Sequence, residues 1–139
     1  MNTTEFLYIA TAICPDRPFI VFEGKQWSFV QFNERVNRLT NAFRELGVHE
    51  GDRIGMLQVN CTQYVEVYFA ATKIGAVVTP VNFRFVGPEI EYILNDSGAT
   101  TFFYGEDFHE VIAAGRSRLN KVKRFITVRA PKTPLTLDY

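Results

Sequence analysis

The segment Gly75-Ala76-Val77-Val78-Thr79-Pro80-Val81-Asn82-Phe83-Arg84 decides the fold class. Gly75 is placed to end a helix, because glycine adopts the left-handed conformation that other residues avoid. The β-branched run after it is too apolar to alternate, which is typical of a strand covered on both faces. Pro80 has no N–H group to donate and is expected to end the hydrogen-bonded ladder. Asn82 and Arg84 then follow the strand at its carboxyl end, where open α/β sheets bind their ligands.

Strands and helices alternate regularly on both sides of this segment. Strand-like runs begin near residues 53, 77, 100 and 124, which are 24, 23 and 24 residues apart. Helical patterns occupy the intervals, over 62–74, 87–97 and 107–119. The alternation predicts right-handed βαβ crossovers and therefore an α/β fold, with a mostly parallel sheet and flanking helices. Four apolar residues are expected to form the packing face of the helix over 62–74: Val65, Tyr68, Phe69 and Ile74.

The N-terminal part of the chain is predicted to form a helix over 4–13 and a small β-hairpin with strands over 19–22 and 26–28. Ser28 and Gln31 have the spacing of a capping box, which predicts that a long helix begins here. Gly47 is placed to end that helix. Four charged side chains on its outer face are interpreted as solvated surface: Glu34, Arg35, Arg38 and Glu45.

The composition is that of a globular chain without excess charge. The 139 residues are 47% hydrophobic and carry 15 basic and 15 acidic side chains, so the formal net charge is zero. This balance argues against a general affinity for nucleic acid or anionic membranes. The length suits one domain with a real core. We assign 1–129 to an N-terminal α/β subdomain and 130–139 to a linker or the truncated start of the next segment.

Aromatic residues and cysteines bear on the surroundings of the protein. The 13 Phe, 6 Tyr and 1 Trp residues either fill a core or form apolar surface that faces something outside this chain. Cys14 and Cys61 lack metal-site spacing and are interpreted as inert thiols in a reducing compartment. The sequence shows no signal-peptide pattern and no apolar run long enough for a transmembrane segment. We therefore expect a cytoplasmic protein.

Several catalytic motifs are absent from the sequence. A dinucleotide-binding fold would have Gly-x-Gly-x-x-Gly after its first strand, where this chain has Gln58-Val59-Asn60-Cys61-Thr62. Neither a phosphate-binding loop ending in Gly-Lys-Ser/Thr nor a Gly-x-Ser-x-Gly nucleophile elbow is present. His49 and His109 have no second ligand at a suitable spacing. The sequence therefore predicts no catalytic residue and no metal site.

Polar side chains at the strand ends remain as candidates for binding. Asn60 follows one strand, Asn82 and Arg84 follow the next, and Glu106 with Asp107 follows a third. Asn82 is either a turn or cap residue or a ligand contact. Arg84 either forms a surface ion pair or binds an anionic ligand, for which its permanently charged guanidinium is well suited.

Several stretches, taken in order, resemble a known family. They are Pro15-Asp16-Arg17-Pro18, the block from Gly24 to Phe32, Leu46-Gly47-Val48 with Gly51-Asp52-Arg53-Ile54, and Lys73-Ile74-Gly75-Ala76 through Val81-Asn82-Phe83-Arg84. Their order and spacing, over nearly all of residues 5–128, resemble the N-terminal region of adenylate-forming (AMP-binding) enzymes. The details look most like a long-chain fatty-acid or other acyl-CoA synthetase, a CoA ligase. The resemblance implies the N-terminal subdomain of the acyl-CoA synthetase fold.

The resemblance also implies a reaction, its cofactors and a binding residue. A fatty or aryl acid would react with ATP and Mg²⁺ to give an acyl-adenylate and pyrophosphate, and CoA would then displace AMP. The family's phosphate loop, adenine- and ribose-binding motifs and C-terminal lysine have no counterpart in these residues, so this chain alone is expected to be inactive. Arg84, with Asn82 beside it, falls where some CoA ligases place an arginine near the CoA phosphates. Phe83 stands where proline is usual.

Three expectations about partners and alternatives complete the prediction. Without a second lobe, the apolar surface of the isolated chain is expected to drive self-association. A freestanding, non-catalytic CoA-binding or dimerisation module of the same fold is the alternative function. A flavodoxin-like or receiver-like domain is supported by topology alone, and a receiver would need acidic residues near 58–60, where this chain has none.

Overall fold

The structure is a computed structural model of the chain, and it describes residues 3–128 and 137–138. The chain forms two compact units, one from residues within 1–50 and 61–76 and the other from residues within 51–60 and 77–139. The subdomain over 1–129 and the linker over 130–139 stay predictions, since most of that linker lies outside the described residues.

The first unit contains three helices and a two-stranded antiparallel hairpin. Its elements are α1 (Thr3–Ile13), β1 (Pro18–Phe22), β2 (Lys25–Ser28), α2 (Phe29–Glu45) and α3 (Thr62–Lys73). The predicted capping box begins α2, where the Ser28 N–H donates to Gln31 Oε1 at 3.0 Å and the Gln31 N–H donates to Ser28 Oγ. Gly47 ends this helix at a φ of 73°, as predicted.

Aromatic rings form part of the packing in the first unit. The Phe19 ring centroid lies 4.6 Å from that of Phe29 and 4.9 Å from that of Phe32. Phe69 adds an edge-to-face contact with Phe32 at 5.5 Å. Because Phe32 is fully buried, these rings belong to a core. Phe6 on α1 is 57% exposed, so not every aromatic side chain lies in a core. That such surface faces something outside this chain stays a prediction.

The predicted packing face of α3 is only partly right: Phe69 packs against the buried Phe32 ring, but the fully buried residues are different ones. Val65, Tyr68 and Phe69 are only half-buried. The buried face instead consists of Thr62, Glu66, Val67, Ala70 and Ala71. The sequence pattern was misleading because this face uses small side chains and one carboxylate instead of bulky apolar groups.

The interpretation of Arg35 as solvated surface is also wrong. Its Nε donates to Glu66 Oε1 at 2.6 Å, and its Nη2 donates to Glu66 Oε2 at 3.3 Å. Glu66 is completely buried, and an ionised carboxylate in that position requires a partner of opposite charge. Arg35 therefore links α2 to α3 through these hydrogen bonds.

The second unit contains the parallel sheet. Its elements are β3 (Arg53–Leu57), β4 (Val77–Pro80), α4 (Gly87–Ser97), β5 (Thr101–Gly105), α5 (His109–Gly115), β6 (Arg124–Val128) and β7 (Leu137–Asp138). The strand order is β4-β3-β5-β6-β7, and every neighbouring pair is parallel. The predicted α/β class, with a parallel sheet and a small N-terminal hairpin, is confirmed.

One hydrophobic cluster fills the space between the sheet and the two helices of this unit. Ile90 and Leu94 contribute from α4, Ile112 from α5, and Phe102 with Tyr104 from β5. All five side chains are at most 2% exposed. This cluster fixes the sheet and so positions the loops that come after its strands.

The expectation of a fully covered strand at 77–80 is wrong, because β4 lies at the edge of the sheet. Val77 is 52% exposed, and none of the four residues is buried. The N–H groups of Val77 and Val81 donate to the Asp52 and Met56 carbonyls at 2.8 Å, so the ladder continues past Pro80. In a parallel pair alternate residues face the neighbouring strand, which turns position 80 outward, where proline is tolerated.

The helix predicted over 107–119 is shorter than expected. Residues Glu106–Phe108 and Arg116–Arg118 form 3-10 turns, and only His109–Gly115 is α-helical. Gly115 is a weak helix former, and the Glu91 carboxylate of α4 lies so close that a Cβ at Gly115 would be 2.7 Å from Glu91 Oε1. This contact between helices favours the change of helix type at Gly115.

Candidate functional site

The candidate site is the carboxyl edge of the parallel sheet. Met56 pairs with Pro80 and Leu57 pairs with Tyr104, so β4, β3 and β5 end at nearly the same level. The loops after these three strands are therefore neighbours along one edge. This arrangement brings the predicted site residues to the same side of the sheet, as the chain order suggested.

The direction of the chain reverses between β3 and β5. From β3 the chain continues to β4 on one side, and from β4 it continues to β5 on the other side. Open α/β sheets bind ligands in the crevice at such a point. Asn60 after β3, and Glu106 with Asp107 after β5, flank this position and are exposed. Asn82 and Arg84 lie one strand further, at the sheet edge.

Gln58 occupies the space directly at the reversal point. A Cβ on Gly105 would collide with the Gln58 side chain, with 3.1 Å to its Nε2 and shorter approaches to its other terminal atoms. The absence of a side chain at Gly105 therefore makes room for Gln58 across the ends of β3 and β5. Sequence reasoning did not single out this pair, because nothing local links a glutamine to a glycine 47 residues later.

Asn82 shapes the turn after β4. Its Oδ1 accepts a hydrogen bond from the Arg84 N–H at 3.0 Å, and its carbonyl accepts one from the Phe85 N–H at 3.0 Å. This is the geometry in which an asparagine side chain substitutes for part of a backbone turn. The turn alternative for Asn82 is therefore observed, and a ligand contact by this side chain stays a prediction.

Arg84 projects from the same turn and is exposed. Its guanidinium carbon lies 5.4 Å from the centroid of the Phe83 ring, which is itself 49% exposed. Among the described residues no carboxylate forms an ion pair with Arg84, so the ion-pair alternative is not what the structure shows. The arginine is steadied by an aromatic ring, and its N–H donors are available to a ligand.

Tyr104 and His109 lie beside each other near the end of β5. The Tyr104 hydroxyl is 3.5 Å from His109 Nδ1, and the two rings stack at a centroid distance of 6.3 Å. Burial raises the pKa of Tyr104, and the positive charge of Arg116 opposes that effect. The hydroxyl thus stays protonated at neutral pH.

Metal ligation and membrane crossing find no support in the described part of the chain. No group of three or more His, Cys, Asp and Glu side chains there is arranged to hold a metal ion. None of the described helices has the length and apolar character that a membrane crossing requires.

The sequence matches a family of enzymes over most of its length. The family is described as AMP-binding enzyme, and the match covers residues 9–138. The chain is 34% identical over 98 residues to the fatty acid–[acyl-carrier-protein] ligase ScoC of Streptomyces coeruleorubidus, which covers 70% of this chain and 19% of ScoC. It is 35% identical over 91 residues to the long-chain-fatty-acid–CoA ligase FadD13 of Mycobacterium tuberculosis, covering 66% and 18% respectively. The chain thus spans about a fifth of the length of these curated relatives.

A solved structure has the same fold. The inhibitor-bound crystal structure of the N-terminal domain of FACL13 from Mycobacterium tuberculosis superimposes with a TM-score of 0.87. The two sequences are 29% identical, and the alignment covers 91% of this chain and 33% of that one. The fold described above is therefore also that of the N-terminal domain of FACL13.

Proposed function

We propose, from the premise that this chain belongs to the AMP-binding enzyme family, that it forms the N-terminal part of an ATP-dependent acyl-CoA synthetase. The family match over residues 9–138 is the observation that carries this proposal. The names of the relatives, ligases of fatty acids to an acyl-carrier protein or to CoA, support a fatty or related carboxylic acid as substrate. The reaction proceeds from acid and ATP, with Mg²⁺, to acyl-adenylate and pyrophosphate. CoA then takes the acyl group and releases AMP.

Within that reaction we assign this chain a binding role and no catalytic one. Arg84 offers a planar fork of donors that matches phosphate oxygens, and it stands at the sheet edge where ligands approach. Asn82 holds the turn that presents it. The available donors of Arg84 fit the phosphates of CoA.

The same proposal covers the setting of the chain. The residues over 1–129 act as one subdomain of a longer polypeptide, and 130–139 links that subdomain to the next one. Alone, the chain is inactive and self-associates. Cys14 and Cys61 form no disulfide, which is consistent with a reducing compartment, and we place the protein in the cytoplasm.

The first experiment is to sequence the DNA beyond the codon for Tyr139. We expect an open frame that encodes a Ser/Thr/Gly-rich loop with a lysine after it. The full-length product should release pyrophosphate from ATP only when a suitable carboxylic acid is present, and should then form a thioester with CoA. A stop codon after Tyr139 would overturn the catalytic proposal and favour the alternative, a freestanding CoA-binding or dimerisation module.

Substitution of Arg84 tests the binding role in the full-length enzyme. We expect Arg84→Ala to raise the KM for CoA by about tenfold, because a charge-assisted pair with phosphate contributes about 1.5 kcal/mol. Pyrophosphate release in the first half-reaction should not change, since Arg84 would not contact ATP or the acid.

Arg38→Ala is the matched control, because Arg38 is an exposed arginine on α2. It should leave the kinetics of both half-reactions unchanged. An equal loss in the two half-reactions for Arg84→Ala would assign Arg84 to folding and remove it from CoA binding.

A further inference from the structure

The first unit contains a cleft of about 670 Å³ that the C-terminal ends of α2 and α3 line together. Arg44 lies in the last turn of α2, and Lys73 is the last residue of α3. The loop after α2 adds two more titratable side chains to the wall, those of His49 and Glu50. Two cationic side chains and a histidine therefore share this cleft with one carboxylate.

Lys73 is held in place as an ammonium. Its Nζ donates to Asn33 Oδ1 at 2.8 Å and to Asn37 Oδ1 at 2.6 Å, and both asparagines belong to α2. These amide oxygens use two of the three N–H groups and stabilise the positive charge without neutralising it. The third N–H group is available to a ligand in the cleft that the side chain lines. The position of the charge is thus fixed before any ligand arrives, which lowers the entropic cost of binding.

The helix ends do not use these two cations. The Arg44 carbonyl accepts a hydrogen bond from the Gly47 N–H at 2.9 Å, and the Thr72 carbonyl accepts one from the Gly75 N–H at 3.2 Å. Backbone N–H groups therefore already bond these terminal carbonyls. Among the described residues no carboxylate forms an ion pair with Arg44 or Lys73. The charges of both side chains therefore remain to attract an anion.

Glu50 opposes that attraction. Its stem packs against Gly75, where a Cβ would lie 2.8 Å from Glu50 Cγ. Its carboxylate repels an anion in the cleft, whereas Glu5 lines a separate, smaller cleft that Lys73 also borders. Within the larger cleft the cations outnumber the single carboxylate, so the summed field favours a negatively charged ligand.

We propose that this cleft binds a phosphate monoester and that Arg44 and Lys73 contact the phosphate oxygens. An arginine offers a planar fork of donors and a lysine a compact charge, and both are common partners of phosphate. Because Arg44, His49 and Glu50 are exposed, the cleft is open to solvent and admits a group larger than the phosphate itself. The phosphate belongs either to a free small molecule or to a lipid headgroup. This inference does not rest on the proposed function.

The test measures binding of two matched probes to the 139-residue chain. Isothermal titration calorimetry measures binding of glycerol 3-phosphate, and co-sedimentation measures binding to phosphatidylcholine vesicles that contain phosphatidic acid, which has the same headgroup. We expect saturable binding with a dissociation constant below about 10 mM at low salt. Added sodium chloride should weaken it, because salt screens the two cations. Binding in one arm only would identify the source of the phosphate, and absence of binding in both arms would overturn the proposal.

Substitution of Arg44 separates the cleft from general electrostatic attraction. We expect Arg44→Gln to weaken binding about tenfold, the loss that corresponds to one charge-assisted hydrogen bond. Arg38→Gln removes the same charge from an exposed position on α2 that does not line the cleft, and should have little effect. Circular dichroism checks that both variants fold. Equal weakening by the two substitutions would contradict a site in this cleft.

Glu50→Gln should have the opposite effect. It removes the repelling charge and keeps the stem that packs against Gly75, so we expect binding to become severalfold tighter. Glu34→Gln is the matched control, because Glu34 is exposed on α2 and does not line the cleft. If Glu50→Gln binds no more tightly than Glu34→Gln, the anion does not occupy the cleft and the proposal is wrong.

Discussion

At the scale of single residues, Gly55 is a closely packed position in the interior of the parallel sheet. A Cβ at this position would lie 3.1 Å from Phe102 Cδ2, 3.5 Å from Ala99 Cβ and far inside contact distance of Leu94 Cδ2. All three neighbours are completely buried. Because Leu94 is completely buried, moving its methyl group away would disturb the packing around it, and glycine at position 55 permits the close approach of α4 to β3.

Alanine at this position should destabilise the protein. We expect Gly55→Ala to lower the free energy of unfolding by about 2 kcal/mol, because the added methyl group overpacks a closed core. Gly87→Ala is the matched control, since a Cβ at Gly87 would make ordinary contacts only, with Val111 Cγ2 at 3.6 Å and Glu91 Oε1 at 4.0 Å. Urea unfolding monitored by circular dichroism measures both. Equal midpoints for the two variants would show that the core of the second unit is not closed around Gly55.

At the scale of secondary-structure elements, one ion pair ties α2 to α3. Glu66 is completely buried and receives two hydrogen bonds from Arg35, at 2.6 and 3.3 Å. The guanidinium carbon of Arg35 also lies 5.9 Å from the centroid of the Trp27 ring. The pair therefore couples the hairpin, α2 and α3, and its value depends on both charges being present.

Removal of one partner of the Arg35–Glu66 ion pair should destabilise the protein more than removal of both partners. We expect Arg35→Met to lower the free energy of unfolding by about 3 kcal/mol, because the buried Glu66 carboxylate loses its cation. The double variant Arg35→Met with Glu66→Met should recover a large part of that loss. Arg38→Met, on the exposed face of the same helix, is the control. If the double variant unfolds at no higher concentration of guanidinium chloride than Arg35→Met does, the loss of stability in Arg35→Met does not come from the desolvated carboxylate of Glu66.

The same elements show which parts of the fold are readable from sequence. The ends of α2 were predicted correctly because Ser28, Gln31 and Gly47 act within a few residues of where they stand. The buried face of α3 was predicted wrongly because Glu66 is made compatible with burial by Arg35, 31 residues earlier in the chain. Sequence patterns predict interactions between residues that are close in the chain. They do not predict a partner that belongs to another helix or strand.

The candidate site, too, could be predicted from the sequence only in part. The chain order correctly placed Arg84 after a strand and at the carboxyl edge of the sheet. The order of strands in space is not a local property, so the sequence did not reveal that β4 is the edge strand or that Gln58 and Gly105 meet at the reversal point. The Phe83 ring beneath Arg84 was visible only as a departure from the family pattern. Its contact with Arg84 requires the turn that Asn82 builds.

At the scale of the whole molecule, the described surface exposes large apolar side chains on α1. Phe6, Ile9 and Ile13 are 57%, 44% and 77% exposed, and their spacing of 3 and 4 residues places them on one side of the helix. The helix carries no lysine or arginine, and Glu5 is its only charged residue. A stripe with this a–d–a spacing can pack against a second copy of itself in antiparallel orientation without repulsion between like charges along most of its length.

The self-association proposed for the isolated chain should therefore depend on α1. Light scattering coupled to size-exclusion chromatography should show a mass above 15.9 kDa that rises with protein concentration. The double substitution of Ile9 and Ile13 by Gln should shift the chain toward monomer, because it removes most of the exposed apolar stripe. Val21→Gln alters a comparably exposed valine on β1 and should leave the mass unchanged. A monodisperse monomer at all concentrations would contradict self-association. If Val21→Gln lowers the mass as much as the double substitution does, the chain self-associates, but α1 is not the specific surface of that association.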